Sequence, residues 1–146
     1  MSPATRVMEA VDETQAIKRP AFEVIYDWVT TVDHKKIGIM YIASAILFLI
    51  IGGVEAILMR IQLAIPNNHF VSPEVFNQLF TMHGTTMIFF MAMPILFGFG
   101  NYLVPLMIGA RDMAFPRLNA FGYWIVLFGG LFLSSSFLFG APPNAG

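Results

Sequence analysis

The chain has 146 residues, a net charge of −1, 57% hydrophobic and 12% charged residues, and no cysteine. Ordinary globular domains carry roughly a quarter charged residues, so this is not the composition of a soluble domain, and with no basic run it offers nothing to nucleic acid. The absence of cysteine excludes a disulfide framework and any thiolate metal site.

Residues 1–36 hold five of the eight Lys/Arg and six of the nine Asp/Glu. They lack the basic stretch followed by an apolar run that marks a secretory signal. Residues 1–20 read as a disordered tail. Phe22, Tyr26 and Trp28 then recur at i, i+4 and i+6, which suits a short interfacial helix with Tyr26 and Trp28 at headgroup level. Asp33 is placed to cap the next helix. His34 reads as an interfacial residue with a structural hydrogen bond rather than a ligand.

The first predicted span covers 37–59, with Glu55 as its one charge, and stops at Arg60. A loop follows, rich in turn residues (Pro66-Asn67-Asn68, Pro73), and His69 within it is expected to face solvent. From Val75 to Ala110 no Asp, Glu, Lys or Arg occurs. As an unbroken helix this stretch would reach about 54 Å, too long for a hydrocarbon core of roughly 30 Å. The second helix, about 75–109, is therefore predicted to kink at Pro94 and at Gly98/Gly100, with Pro105 near its end. Arg111 to Arg117 form a short charged loop. The third helix is predicted at about 118–140, with Ser134, Ser135 and Ser136 as small polar contact positions. The fold class is an all-α integral membrane protein with three transmembrane helices, divided into a tail (1–36) and a membrane part (37–146). Lys18, Arg19, Lys35 and Lys36 flank the first helix, Arg60 alone marks the first loop, and Arg111 and Arg117 lie in the second. The positive-inside rule then puts the N-terminus and second loop in the cytoplasm.

His83 stands inside the second hydrophobic stretch, and an ionisable group at that depth is a functional candidate by default. The alternative is a neutral His bonded to a neighbouring helix or a backbone carbonyl. Gly84 leaves one side bare for a flat ligand. Met87 and Met91 follow at i+4 and i+8 on the same face, polarizable enough to pack on an aromatic macrocycle. A neutral imidazole in an apolar pocket is what haem iron takes as an axial ligand.

The stretch Thr-Met-His-Gly-Thr-Thr-Met-Ile-Phe-Phe (81–90), and then Gly-Asn-Tyr-Leu-Val-Pro-Leu-Met-Ile-Gly-Ala-Arg-Asp-Met-Ala-Phe-Pro-Arg-Leu-Asn (100–119), closely resembles subunit I of the haem–copper terminal oxidases of the cytochrome c oxidase type. The resemblance runs from about Thr31 to the end of the chain. It implies that the three helices are the first three of a twelve-helix bundle in a bacterial plasma membrane. It also implies that His83 is an axial ligand of a low-spin haem A. By the resemblance Arg60 bonds the haem formyl group, Asp112 is the entrance to a proton pathway, Asn101 and Asn119 narrow that entrance, and Tyr41 lies further in. Expected partners are the lipid bilayer, the remainder of subunit I, oxidase subunits II and III, and cytochrome c as electron donor.

The chain departs from the family pattern in places. Gly122 stands where a pathway serine is usual, Gln62 where many relatives carry a cation-binding Glu, and Phe-Gly-Phe-Gly-Asn is one glycine short. A bis-His haem needs a second His, and the oxygen centre needs a His on its haem and three on its copper (CuB). Only His34, His69 and His83 are present, so the second haem and CuB are expected from elsewhere. The chain is expected to be an N-terminal piece of subunit I, or a split subunit completed by a partner, and inactive alone. Two other readings compete: a quinol-oxidising relative, and a non-catalytic membrane module with a structural His83. Quinol-oxidising relatives carry an acid and a Gln at the positions of Glu55 and Gln78, but also an Arg and a His where Ile51 and Val75 stand. Neither of those can hold a quinone oxygen by a charge-assisted bond, so cytochrome c is the expected donor.

Overall fold

The computed structural model describes residues 20–140 and 142–144. The expected disordered tail therefore lies outside the described residues, except Pro20. Among those residues every regular element is helical. Helix α1 (Ala21–Val29) belongs to a separate unit ending at Thr31. Phe22 and Tyr26 stack along one side of it, ring centroids 6.4 Å apart, and Thr30 bonds back to the Tyr26 carbonyl at 2.8 Å.

The second unit holds α2 (His34–Gln62), α3 (Pro73–Thr85), a π-helical segment π1 (Thr86–Ala92), α4 (Met93–Met107) and α5 (Pro116–Ser135). Taken with π1 as one run, Pro73–Met107, they make three helices long and apolar enough to cross a membrane. Each start has a local cause. The Asp33 carboxylate accepts the Lys35 amide at 2.9 Å, so α2 begins at His34, a turn before the predicted 37. Ser72 caps α3 through the Val75 amide, with Pro73 in the first turn, and Pro116 opens α5 likewise. Helix α5 stops at Ser135 rather than running to 140. The Ser135 hydroxyl bonds back to the Phe132 carbonyl at 2.6 Å, a local bond that competes with the helix, and the chain turns on to Gly140 at φ +68°.

Helix α2 is the axis: it packs against α3, π1, α4 and α5. Its buried positions include His34, Gly38, Tyr41, Ala45, Phe48, Gly52 and Glu55, alternating steps of four and three, which is the period of a helix seam. Every seventh position, Gly38, Ala45 and Gly52, is small, so helices approach without a hydrophobic driving force from water. A Cβ at Gly38 would stand 2.9 Å from the Gly98 carbonyl; α2 and α4 meet backbone to backbone there. At Gly130 of α5 a Cβ would run into the rings of Phe48 and Phe90, themselves paired at 5.3 Å.

The second span does not keep this rhythm. Its buried positions Leu79, Met82 and Thr86 step by three and four, but the next are Pro94, Gly98, Asn101 and Pro105. Thr86 to Pro94 is eight residues, one more than two helical steps of a seam. The extra residue is taken up by π1, whose wider turn re-aims everything after it. The cause is Pro94, which lacks an N–H and whose ring would press on the carbonyl four residues earlier, Phe90. The irregularity lies before Pro94, and α4 runs helical through Gly98 and Gly100.

Candidate functional site

In α3 the imidazole of His83 turns toward α2, where its Nδ1–H donates to the Gly52 carbonyl at 2.9 Å. A carbonyl can only accept, so Nδ1 carries a proton, and in the neutral ring the lone pair is on Nε2. The bond expected of a structural histidine is thus present. It is also the bond that orients a ligating one, since a metal-bound imidazole is held by its other nitrogen. Gly52 also makes room for Met87: a Cβ there would sit 2.8 Å from its sulfur. Met87 therefore shares the α2-facing side with His83. Met91 is half-buried inside π1. Around Gly84 a Cβ would find no atom within 4 Å, so the bare side exists. The cavity it opens on, about 320 Å³ and lined by Asn77, Phe80, Thr81 and Thr85, does not include His83. The bare flank and the imidazole point to different sides of α3.

Arg60 lies in the last turn of α2, exposed, about 12 Å along the axis from Gly52. No salt bridge to it occurs among the described residues. Glu55 is 5% exposed, with Oε2 unpartnered, and borders an apolar cavity with Ile50, Ile51, Val54, Leu58, Leu79 and Phe137. Both polar ends of the Gln62 side chain are taken up by loop backbone. Its Oε1 accepts the Val71 amide at 2.9 Å and its Nε2 donates to the Asn68 carbonyl at 2.7 Å, stapling the loop to the helix end.

A second cluster lies at the His34 end of α2. Asp112, in the loop before α5, accepts its neighbour's amide from Met113 at 2.8 Å and stands 3.3 Å from His34 Nδ1. The loop arginines do not pair with it among the described residues. His34 is only 2% exposed, its Nε2 without a partner. Asn101 and Asn119 come together, Nδ2 of the first donating to Oδ1 of the second at 3.0 Å. Asp112 and Asn101 line one cavity of about 380 Å³ with Gly100, Val104 and Met113. Tyr41 is buried further along α2, edge-on to Tyr123 at 5.1 Å. His34 is the member that sequence reasoning missed as a partner of Asp112; 78 residues separate them, and no local pattern links the two.

Residues 36–146 match the family model described as cytochrome c and quinol oxidase polypeptide I. The chain is 55% identical over 131 residues to cytochrome c oxidase subunit 1 of Alkalihalophilus pseudofirmus, covering 90% of this chain and 21% of that protein. It is 53% identical over 129 residues to cytochrome c oxidase subunit 1 of Bacillus subtilis, covering 88% and 21%. It is 55% identical over 120 residues to quinol oxidase subunit 1 of the same species, covering 82% and 18%. The chain thus spans about a fifth of the length of the curated relatives it matches. Its sequence, together with its all-helical bundle of three membrane-length helices, places it in subunit I of the haem–copper oxidases, in the part that carries the first of that subunit's helices.

Proposed function

We propose that this chain contributes, to a proton-translocating terminal oxidase of a bacterial plasma membrane, one axial ligand of a low-spin haem and a proton entrance. The observation that carries the reading is the 2.9 Å bond from His83 Nδ1 to the Gly52 carbonyl, which leaves Nε2 as a neutral donor. This donor chemistry fits haem iron; haem A, when bound, supplies one-electron transfer. The Gly52 carbonyl fixes the tautomer and ring direction, and Met87 lies against the same glycine. Arg60, in the last turn of α2, would hold the haem formyl group, where a cationic donor would withdraw electron density and raise the potential.

At the other end Asp112 collects protons, His34 holds the carboxylate in place, and Asn101, Asn119 and Tyr41 line the way inward. Amides and hydroxyls order a proton path without trapping the proton, so one carboxylate at the mouth suits collection. The shared cavity of Asp112 and Asn101 supports this order. With the N-terminus in the cytoplasm, Asp112 opens to the side from which protons are taken. The rest of subunit I, with the second haem and CuB, and subunits II and III complete the enzyme.

Cytochrome c is the proposed donor, because Ile51 and Val75 offer a quinone no polar group. The second reading, quinol oxidation, has its own observation in the buried unpartnered carboxyl of Glu55 beside an apolar cavity. Reduction of the assembled oxidase by reduced cytochrome c but not by a short-chain quinol is the expected result; the reverse would move the donor to quinol. The haem assignment is tested by His83→Leu in the assembled complex. Leu inserts readily in hydrocarbon, so the expected product is an inserted subunit without the low-spin haem band in a reduced-minus-oxidised spectrum. A full band in that variant would overturn the assignment.

A further inference from the structure

We propose that α1 is a peripheral membrane contact: the stripe of Phe22, Ile25, Tyr26 and Val29 beds in the bilayer surface at the His34 end of α2, taking neutral or zwitterionic phospholipid and needing no anionic headgroup. The inference rests only on α2 being a membrane span. None of the nine residues of α1 is buried. The four apolar side chains are 76%, 61%, 61% and 47% exposed, and their spacing of i, i+3, i+4 and i+7 puts them on one face. Phe22 and Tyr26 are already stacked along it, so the stripe is one surface rather than four scattered side chains. Glu23, Asp27 and Thr30 recur at i, i+4 and i+7 on a separate face, and the Thr30 hydroxyl is tied back to the Tyr26 carbonyl.

Charge and reach select the occupant. Helix α1 carries Glu23 and Asp27 but no Lys or Arg, whereas anionic headgroups attract basic segments. Adhesion therefore falls to the apolar stripe, with the acids turned to water. A helix of nine residues is about 14 Å long and 10 Å across, far short of the roughly 800 Å² that each partner gives to a standard protein interface. A protein partner would need more surface than α1 offers. A bilayer needs only to be near, and the chain supplies that. From Val29 to His34 the link reaches at most about 18 Å. Helix α2, at 29 residues, is about 43 Å long, more than a hydrocarbon core of roughly 30 Å. Its His34 end, with Lys35 and Lys36, therefore stands at headgroup level, and α1 is tethered there. The Tyr26 phenol, apolar in body and polar at its tip, favours that depth.

The experiment uses this chain's lack of cysteine. Ile25→Cys, Val29→Cys, Glu23→Cys and Asp27→Cys are each made in the assembled complex and placed in phosphatidylcholine nanodiscs. Each is treated with a charged maleimide or with apolar N-cyclohexylmaleimide, and label is read on the separated chain. With the charged reagent Ile25→Cys and Val29→Cys should label about ten-fold more slowly than the other two, the factor for burying one apolar side chain. With the apolar reagent all four should label alike, and neither result should change in high salt. Equal labelling of all four by the charged reagent puts α1 in water and overturns the proposal. Protection of Ile25→Cys and Val29→Cys from both reagents means that protein covers the stripe, and again overturns it. A pattern that needs phosphatidylglycerol and vanishes in high salt assigns adhesion to the flanking Lys and Arg residues, and the apolar stripe is overturned as the contact.

Discussion

The His83 region and the Asp112 region are built by opposite means. At His83 one side chain is fixed by a backbone carbonyl across a single helix pair, and beside that bond a glycine lets α2 and π1 close. At Asp112 the geometry depends on side chains holding one another: His34 from α2, Asn101 from α4, Asn119 from α5 and the loop carboxylate. A carbonyl cannot be mutated away, so the first region should be sensitive to bulk and indifferent to most polar changes around it. The second should be sensitive to loss of a single polar group and tolerant of bulk at its margins.

The largest expected effect is at Gly52. Gly52→Leu drives a side chain into Met87 and Thr86, an overpacking that costs about 1–3 kcal/mol, and forces His83 off its carbonyl. The expected readout is loss of most of the low-spin haem band, whereas Gly53→Leu, with no atom near a Cβ, leaves it intact. Equal spectra for the two would break the comparison, since bulk would then not be what the region resists.

Next comes Asn119→Leu. It leaves the Asn101 amide buried without its acceptor, at a cost of about 1–3 kcal/mol, seen as a lower thermal midpoint of the purified complex. Asn119→Asp keeps an acceptor for Asn101 Nδ2 and should recover much of the midpoint. His34→Leu is smaller, because Asp112 retains its bond to the Met113 amide and its side chain is 41% exposed. Here the expected change is slower proton uptake with the haem spectrum unaltered. A spectral change at the haem would mean that the two regions are not independent.

The smallest effect concerns the loop that joins the first two spans. Asn67 is at φ 58°, a conformation Asn tolerates and β-branched residues do not. Asn67→Val should cost about 1–2 kcal/mol and Asn67→Gly almost nothing, read as susceptibility of the loop to proteolysis. Neither should touch the haem band or proton uptake.

Much of this molecule is determined by its sequence alone. The three hydrophobic stretches, the caps at Asp33 and Ser72, and the turn residues near 66–73 are local properties, set by transfer free energy and by backbone amides near the polar side chain that satisfies them. The single imidazole in an uncharged stretch is equally plain to read, because hydrocarbon makes any ionisable group conspicuous. Tertiary structure decided the rest. A contact 78 residues apart, His34 with Asp112, has no period to betray it. The π segment ahead of Pro94 shifts the buried face by one residue, which an assumed α-helical period cannot foresee. Two cavities and one carbonyl bond then decide what each polar residue can reach. The bare flank of Gly84 and the imidazole beside it prove to face different ways, because neighbours on a helix are about 100° apart and only the packing of α2 says which side is inward.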